Sequence, residues 1–140
     1  MTFRRIVLDT NLYIGWMNLG LYEDLMVGRG WVRYLSAVVE MELRVGASTL
    51  PARRALDQLV RAYRASGRIV APGAELFDQA GRVLERLRAM GHEVRRASLV
   101  NDVLIALSAR SLGATLLSSD GDYHAIRAVC DFGLQMVEPA

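Results

Sequence analysis

Four carboxylates stand in flanks that are otherwise apolar. Asp9 follows Ile6-Val7-Leu8, and Glu42 lies within Val38-Val39-Glu40-Met41-Glu42-Leu43. Asp102 precedes Val103-Leu104-Ile105, and Asp120 follows Leu116-Leu117-Ser118-Ser119. An ionised carboxylate in such surroundings is costly unless something compensates it. If the four converge they repel one another, and one or more holds a proton until a cation arrives. The chain has 17 basic residues and every one is arginine, so no ammonium group is on hand. A divalent metal is the natural compensator, and an all-oxygen ligand set favours Mg²⁺ or Mn²⁺ over zinc. Such a site activates water and stabilises charge on a phosphoryl group. Taken singly, each residue also has a plain structural role: Asp9 and Asp102 as helix caps, Asp120 as a turn residue, Glu42 as a solvated helix position.

Convergence depends on the elements that carry these groups. Phe3-Arg4-Arg5-Ile6-Val7-Leu8 reads as a buried strand that stops at Asp9, after which Asp9-Thr10-Asn11 supplies capping residues. Gly15, Gly20, Gly28 and Gly30 are expected to break the next stretch into short helical pieces. Residues 31–35 read as a second strand. Ser36 caps a helix through Val45, and Pro51 opens another with Leu56, Leu59, Val60 and Tyr63 on one face. Residues 68–71 form a short strand candidate. Residues 75–90 form an amphipathic helix with Leu76, Phe77, Ala80, Val83, Leu84 and Leu87 inward. Asn101 to Leu112 is apolar all round and therefore central, which places Asp102 in its first turn, a favourable position for a carboxylate. Residues 115–118 form a buried strand, Asp122 starts a last helix to about Cys130, and residues 134–137 form a final strand. Strands alternating with helices predict an α/β fold with a parallel sheet and helices on both faces. Functional crevices in such sheets lie beyond the carboxyl ends of the strands, where Asp9 and Asp120 project.

Composition narrows the chemistry further. With 140 residues and no internal repeat or linker-like tract, the chain reads as a single domain over 1–140. The absence of lysine excludes a Walker-type phosphate loop, a lysine Schiff base and protein kinase chemistry. One cysteine, Cys130, makes neither an internal disulfide nor a zinc knuckle and reads as a small core residue. His92 and His124 are too few for a histidine-built metal site. No apolar stretch approaches the ~20 residues that span a bilayer, and Asp9 interrupts the short apolar run after Arg4-Arg5, unlike a signal peptide. No membrane association and a cytoplasmic location are expected. The formal net charge of +2 permits a nucleic-acid partner without requiring one.

Four segments taken in order, Val7–Asn11, Ser36–Gly46, Asn101–Ala109 and Leu116–Tyr123, resemble the PIN-domain ribonucleases, and within them the VapC-type toxins of toxin–antitoxin pairs. The resemblance covers essentially the whole chain. It implies a PIN-like three-layer α/β/α fold with a short central parallel sheet. It implies Mg²⁺- or Mn²⁺-dependent endonucleolytic cleavage of RNA, with Asp9, Glu42, Asp102 and Asp120 as catalytic and metal-binding residues. Glu42 fits the pattern better than Glu40 because Leu43 and Gly46 follow it at the family spacing. Asn11 and Ser118 take supporting places, Ser118 standing where threonine is commoner, and Asp122 is an accessory ligand. Ser119 and Gly121 depart from the charged or bulky residues of many relatives. The resemblance also implies a small cognate antitoxin, VapB-like, and a homodimer.

Arginines supply the candidate RNA contacts. Arg95 and Arg96, shortly before Asp102, are preferred. Arg53, Arg54, Arg61, Arg64 and Arg68 form either a basic rim or a solvated helix face. The apolar run from Leu12 to Met26, including Ile14, Trp16, Met17 and Leu19, exceeds what such short helices bury, so part of it is expected to line a partner groove. Two other readings keep the fold: a PIN-type nuclease in RNA processing that is not a toxin, and a catalytically silent PIN-like binding module.

Overall fold

The computed structural model describes residues 4–139. The strands are β1 (Arg4–Leu8), β2 (Trp31–Ser36), β3 (Ile69–Val70), β4 (Thr115–Ser118) and β5 (Gly133–Met136). The helices are α1 (Thr10–Leu19), α2 (Glu23–Val27), α3 (Ala37–Gly46), α4 (Leu50–Ala65), α5 (Ala74–Ala89), α6 (Ala97–Ser111) and α7 (Tyr123–Val129). Phe3, expected to begin the first strand, lies outside the described residues. All strand pairs are parallel, in the order β3-β2-β1-β4-β5, with helices on both faces in a three-layer α/β/α arrangement. From β1 the chain first builds outward through β2 and β3, then returns to add β4 and β5 on the other side. The order therefore reverses between β1 and β4, and in parallel sheets the crevice lies at the carboxyl ends of the strands at such a switch point.

The centre of the sheet is the driest part of the molecule. Ile6, Val7, Leu8, Leu116 and Leu117 are fully buried, as expected for a parallel sheet covered on both faces. Helix α6 packs on β2 and β4 and against α3 and α5, and every residue from Asp102 to Ala109 is buried. Its apolar circumference is explained by this central place.

Three expectations need correction. α6 begins at Ala97, so Asp102 is its sixth residue and stands beyond the first turn; the helix-terminus dipole falls off within that turn and does not stabilise its charge. Gly15 does not break the chain but sits inside α1, where an added Cβ would lie 2.9 Å from the Tyr22 ring; the glycine lets that ring pack against the helix. Phe77 of α5 faces outward, leaving Ala80, Val83 and Leu87 as the buried stripe. Cys130 is a buried free thiol, as expected. The apolar run of residues 12–26 divides: Leu12, Tyr13 and Met26 are buried, Trp16 and Met17 pack against the core, and Ile14 and Leu19 remain 46% and 74% exposed.

Candidate active site

Each expected carboxylate is delivered by a different element. Asp9 is the first residue past β1. Its backbone N–H donates to the Leu117 carbonyl at 2.9 Å, extending the ladder toward β4, and its carboxylate caps α1 by accepting from the Thr10 N–H at 2.9 Å. Asp120 follows β4. Asp102 enters from α6, and Glu42 from α3. The start of α3 is fixed by the fully buried Ser36, whose Oγ accepts from the Val38 and Val39 N–H groups at 3.1 and 3.4 Å.

These groups meet at the β1/β4 crevice. Asp102, Asp120 and Asp122 each offer a carboxylate oxygen, and the three oxygens lie within 4.8 Å of one another. They run from buried Asp102 to exposed Asp122, so the cluster opens to solvent. Asp9 joins through Tyr123, whose hydroxyl donates to Asp9 Oδ1 at 3.1 Å and to Asp102 Oδ1 at 3.2 Å. Ser118 supplies a second tie: its hydroxyl donates to Asp9 Oδ2 at 2.7 Å and accepts from the Asp120 N–H at 2.9 Å. The Asp122 N–H then donates to Asp120 Oδ1 at 2.9 Å, folding the turn back on itself. Glu42 is held from both sides, accepting from Thr10 Oγ1 at 2.6 Å and Asn101 Nδ2 at 3.4 Å.

Asn11 makes no hydrogen bond to the carboxylates among the described residues; its Nδ2 donates to Ser119 Oγ at 2.8 Å, while its buried Oδ1 has no partner among them. Arg96 is the N-cap of α6, and both Arg95 and Arg96 are exposed. Three residues that organise the site were given no part in it by sequence reasoning: Thr10, read only as a helix-capping residue, Asn101 and Tyr123. Each is a polar neighbour of an expected carboxylate. Tyr123 had one further signal, a hydroxyl in a helix face that also carries the core residue Ile126.

Electrostatics follow from this crowding. Burial, and then the charges of Asp9 and Asp120, push the Asp102 carboxyl up to about 8, against the opposing hydrogen bond from Tyr123. Burial also raises Asp9, opposed by its bonds from Ser118, Thr10 and Tyr123. The Tyr123 hydroxyl is pushed well above its ordinary range by burial and by the same two carboxylates, so it stays a donor. Among the described residues the ion pairs are Arg44–Asp57 and Arg82–Asp78, both on the surface. Neither involves the cluster, so no arginine is paired with it among the described residues. An all-carboxylate donor set with uncompensated negative charge fits a hard divalent cation.

Residues 6–129 match the family model of the PIN domain. The chain belongs to the PIN domain family. PIN domains are nucleases, and the crevice at β1/β4 is this member's acidic centre. No curated protein matches the chain by sequence. Its fold is shared with solved structures across nearly their full length. VapBC2 from Rickettsia felis, bound to a DNA fragment from the promoter, superposes with a TM-score of 0.69 at 20% identity, covering 96% of this chain and 99% of that one. VapBC-1 from nontypeable Haemophilus influenzae gives 0.66 at 22% identity, covering 94% and 97%. VapBC-5 from Mycobacterium tuberculosis, a member of the VapBC family of toxin–antitoxin systems, gives 0.63 at 23% identity, covering 96% and 98%.

Proposed function

We propose that this PIN domain is a Mg²⁺- or Mn²⁺-dependent endoribonuclease, a VapC-like toxin acting in the cytoplasm as a homodimer and restrained by a cognate VapB-like antitoxin. The observation that carries the nuclease reading is the convergence of Asp9, Asp102, Asp120 and Asp122 at the sheet's switch point, with no ion pair to them among the described residues. Asp9, Asp102 and Asp120 would hold the cation, with Asp122 as an accessory ligand at the solvent side. When bound, the cation offsets the negative charge that develops on the scissile phosphate.

The rest is the work of the protein's own groups. Asp102 must give up its proton to become a ligand. Ser118 and Tyr123 fix the two oxygens of Asp9, and Thr10 and Asn101 fix those of Glu42, so neither carboxylate has to be ordered when substrate arrives. Glu42, set at the edge of the cluster, orients the attacking water. Arg95 and Arg96, exposed at the start of α6, are the proposed contacts for substrate phosphates.

The toxin reading draws support from the likeness to VapBC structures and from an apolar depression beside Glu42. That depression, of about 140 Å³, is lined by Ile14, Met17, Leu43, Ala52 and Leu56 among others. A segment of an antitoxin lying there would end next to the acidic centre. The test is cleavage of single-stranded RNA and of DNA of the same sequence by the purified chain. RNA should be cut with Mn²⁺, and cutting should stop with chelator and in Asp9→Asn. Full activity of Asp9→Asn would refute the site; preference for DNA would refute the substrate class.

A further inference from the structure

A second depression, of about 250 Å³, lies between α2, β2 and the second half of α4, with Met26, Arg33, Leu59, Ala62, Tyr63 and Arg68 in its lining. Its chemistry is the reverse of the acidic centre. Arg33 is half-buried on β2, and its guanidinium is anchored by backbone carbonyls: Nε donates to Leu25 O at 2.5 Å and Nη2 to Gly28 O at 2.6 Å. Those bonds occupy the side edge of the guanidinium and bring it no opposite charge. The end-on fork, formed by Nη1 and the second Nη2 hydrogen, has no partner among the described residues, and none of the ion pairs among them involves Arg33.

Tyr63 adds a directed donor. Its hydroxyl is 2.8 Å from that of Tyr13, which is fully buried and has no other partner among the described residues. Tyr13 therefore donates to Tyr63, and the Tyr63 proton is left for the pocket. Burial pushes the Tyr63 hydroxyl above its ordinary range against the opposing influences of Tyr13, Arg33 and Arg68, so it keeps that proton. Ser66 is already committed, its hydroxyl donating to the Ala62 and Tyr63 carbonyls at 3.1 Å each. Arg68 also lines the pocket, and its charge acts on the Tyr63 hydroxyl. The lining thus carries three donor-bearing residues and no acidic one, beside Met26, Leu59 and Ala62.

We propose that this pocket binds a carboxylate on an apolar stem, supplied by an acidic side chain of a polypeptide laid along α4. A planar carboxylate matches the free fork of Arg33 in a bidentate pair, and the apolar walls suit methylene groups. The polypeptide source follows from continuity. The pocket shares Leu59 with a depression lined by Trp16, Met17 and Ala55, and that depression shares Met17 with the one beside Glu42. The three make a run along α4, negative at one end and positive at the other. The source, though not the pocket, rests on the antitoxin reading.

The probe is 4-phenylbutyrate against its uncharged amide, titrated into the free chain and read by NMR at the Arg33 Nε–H and the Tyr63 ring. The acid should give saturable shifts at both sites and bind about tenfold or more tightly than the amide, the scale of a charge-assisted hydrogen bond. Tyr63→Phe and Arg68→Ala should each weaken the acid and leave the amide unchanged, and Tyr63→Phe should leave RNA cleavage intact. Equal binding of acid and amide, or no saturation by the acid, overturns the pocket. For the source, each Asp and Glu in the groove segment of the adjacently encoded antitoxin is replaced in the complex. One replacement should loosen the complex less in Arg68→Ala than in wild type, the signature of coupling. No coupled residue overturns the polypeptide source. If the acid titrates but wild type cuts no RNA, the pocket stands and the nuclease reading falls.

Discussion

At Tyr123 one phenol proton is shared by two carboxylates, Asp9 and Asp102. Its bond lowers the proton affinity of both, against the burial that raises them. Tyr123→Phe keeps the ring and its edge contact with Phe132 at 6.5 Å but removes that donor. Both carboxyls should then hold their protons to higher pH, and the pH profile of Mn²⁺ binding should move upward; an unchanged profile would show that Tyr123 only fills space. Ser118→Ala leaves Asp9 Oδ2 and the Asp120 N–H without their partner. We expect a loss of about 1–3 kcal/mol in chemical denaturation. The four principal carboxylates could be singled out in the sequence because each lies beside or within an apolar stretch, though their grouping rested on the sheet pattern and the family resemblance. Tyr123, Thr10 and Asn101 were not, since a hydroxyl or amide in an apolar flank has many structural uses and only the fold shows which carboxylate it meets.

The elements place these groups by their ends. β1 and β4 stop where their apolar runs stop, so Asp9 and Asp120 emerge side by side at the edge where strand order reverses. That much followed from pattern, and the bounds of β4 agreed with it at both ends. The start of α6 did not, because Ala97–Val100 carries no capping side chain and no strong apolar period to mark it. Asp102 is consequently held by packing and by neighbours rather than by a helix terminus. For α3 the cap is decisive: Ser36 holds the two N–H groups at the start of the helix that carries Glu42. Ser36→Ala should cost about 1–2 kcal/mol and lower cleavage along with stability, measured by thermal melting beside the RNA assay. Undiminished stability would mean that the cap is not what fixes α3.

At the scale of the whole molecule, the acidic centre links folding to pH. Asp102 titrates near 3.8 when unfolded and at about 8 when folded. Between those values the folded chain holds a proton that the unfolded chain has lost, so stability falls as pH rises. Asp9, also raised, acts in the same direction. Without divalent metal the melting temperature should decline from pH 5 to pH 8, and a flat or rising curve would contradict the assignment. A bound cation replaces that proton and restores stability by mass action. The absence of lysine gains a physical meaning here: charge balance in the crevice falls to protons or a metal, while the arginines remain outside it.

The most direct test of this account is calorimetric titration of Mn²⁺ into the wild-type chain and Asp102→Asn at several pH values, in buffers of different ionisation enthalpy. The account predicts saturable binding in wild type, with affinity rising toward pH 8 and about one proton released per site below it, and loss of that binding in Asp102→Asn. Equal binding by the two proteins, or no proton release near pH 7, would contradict it.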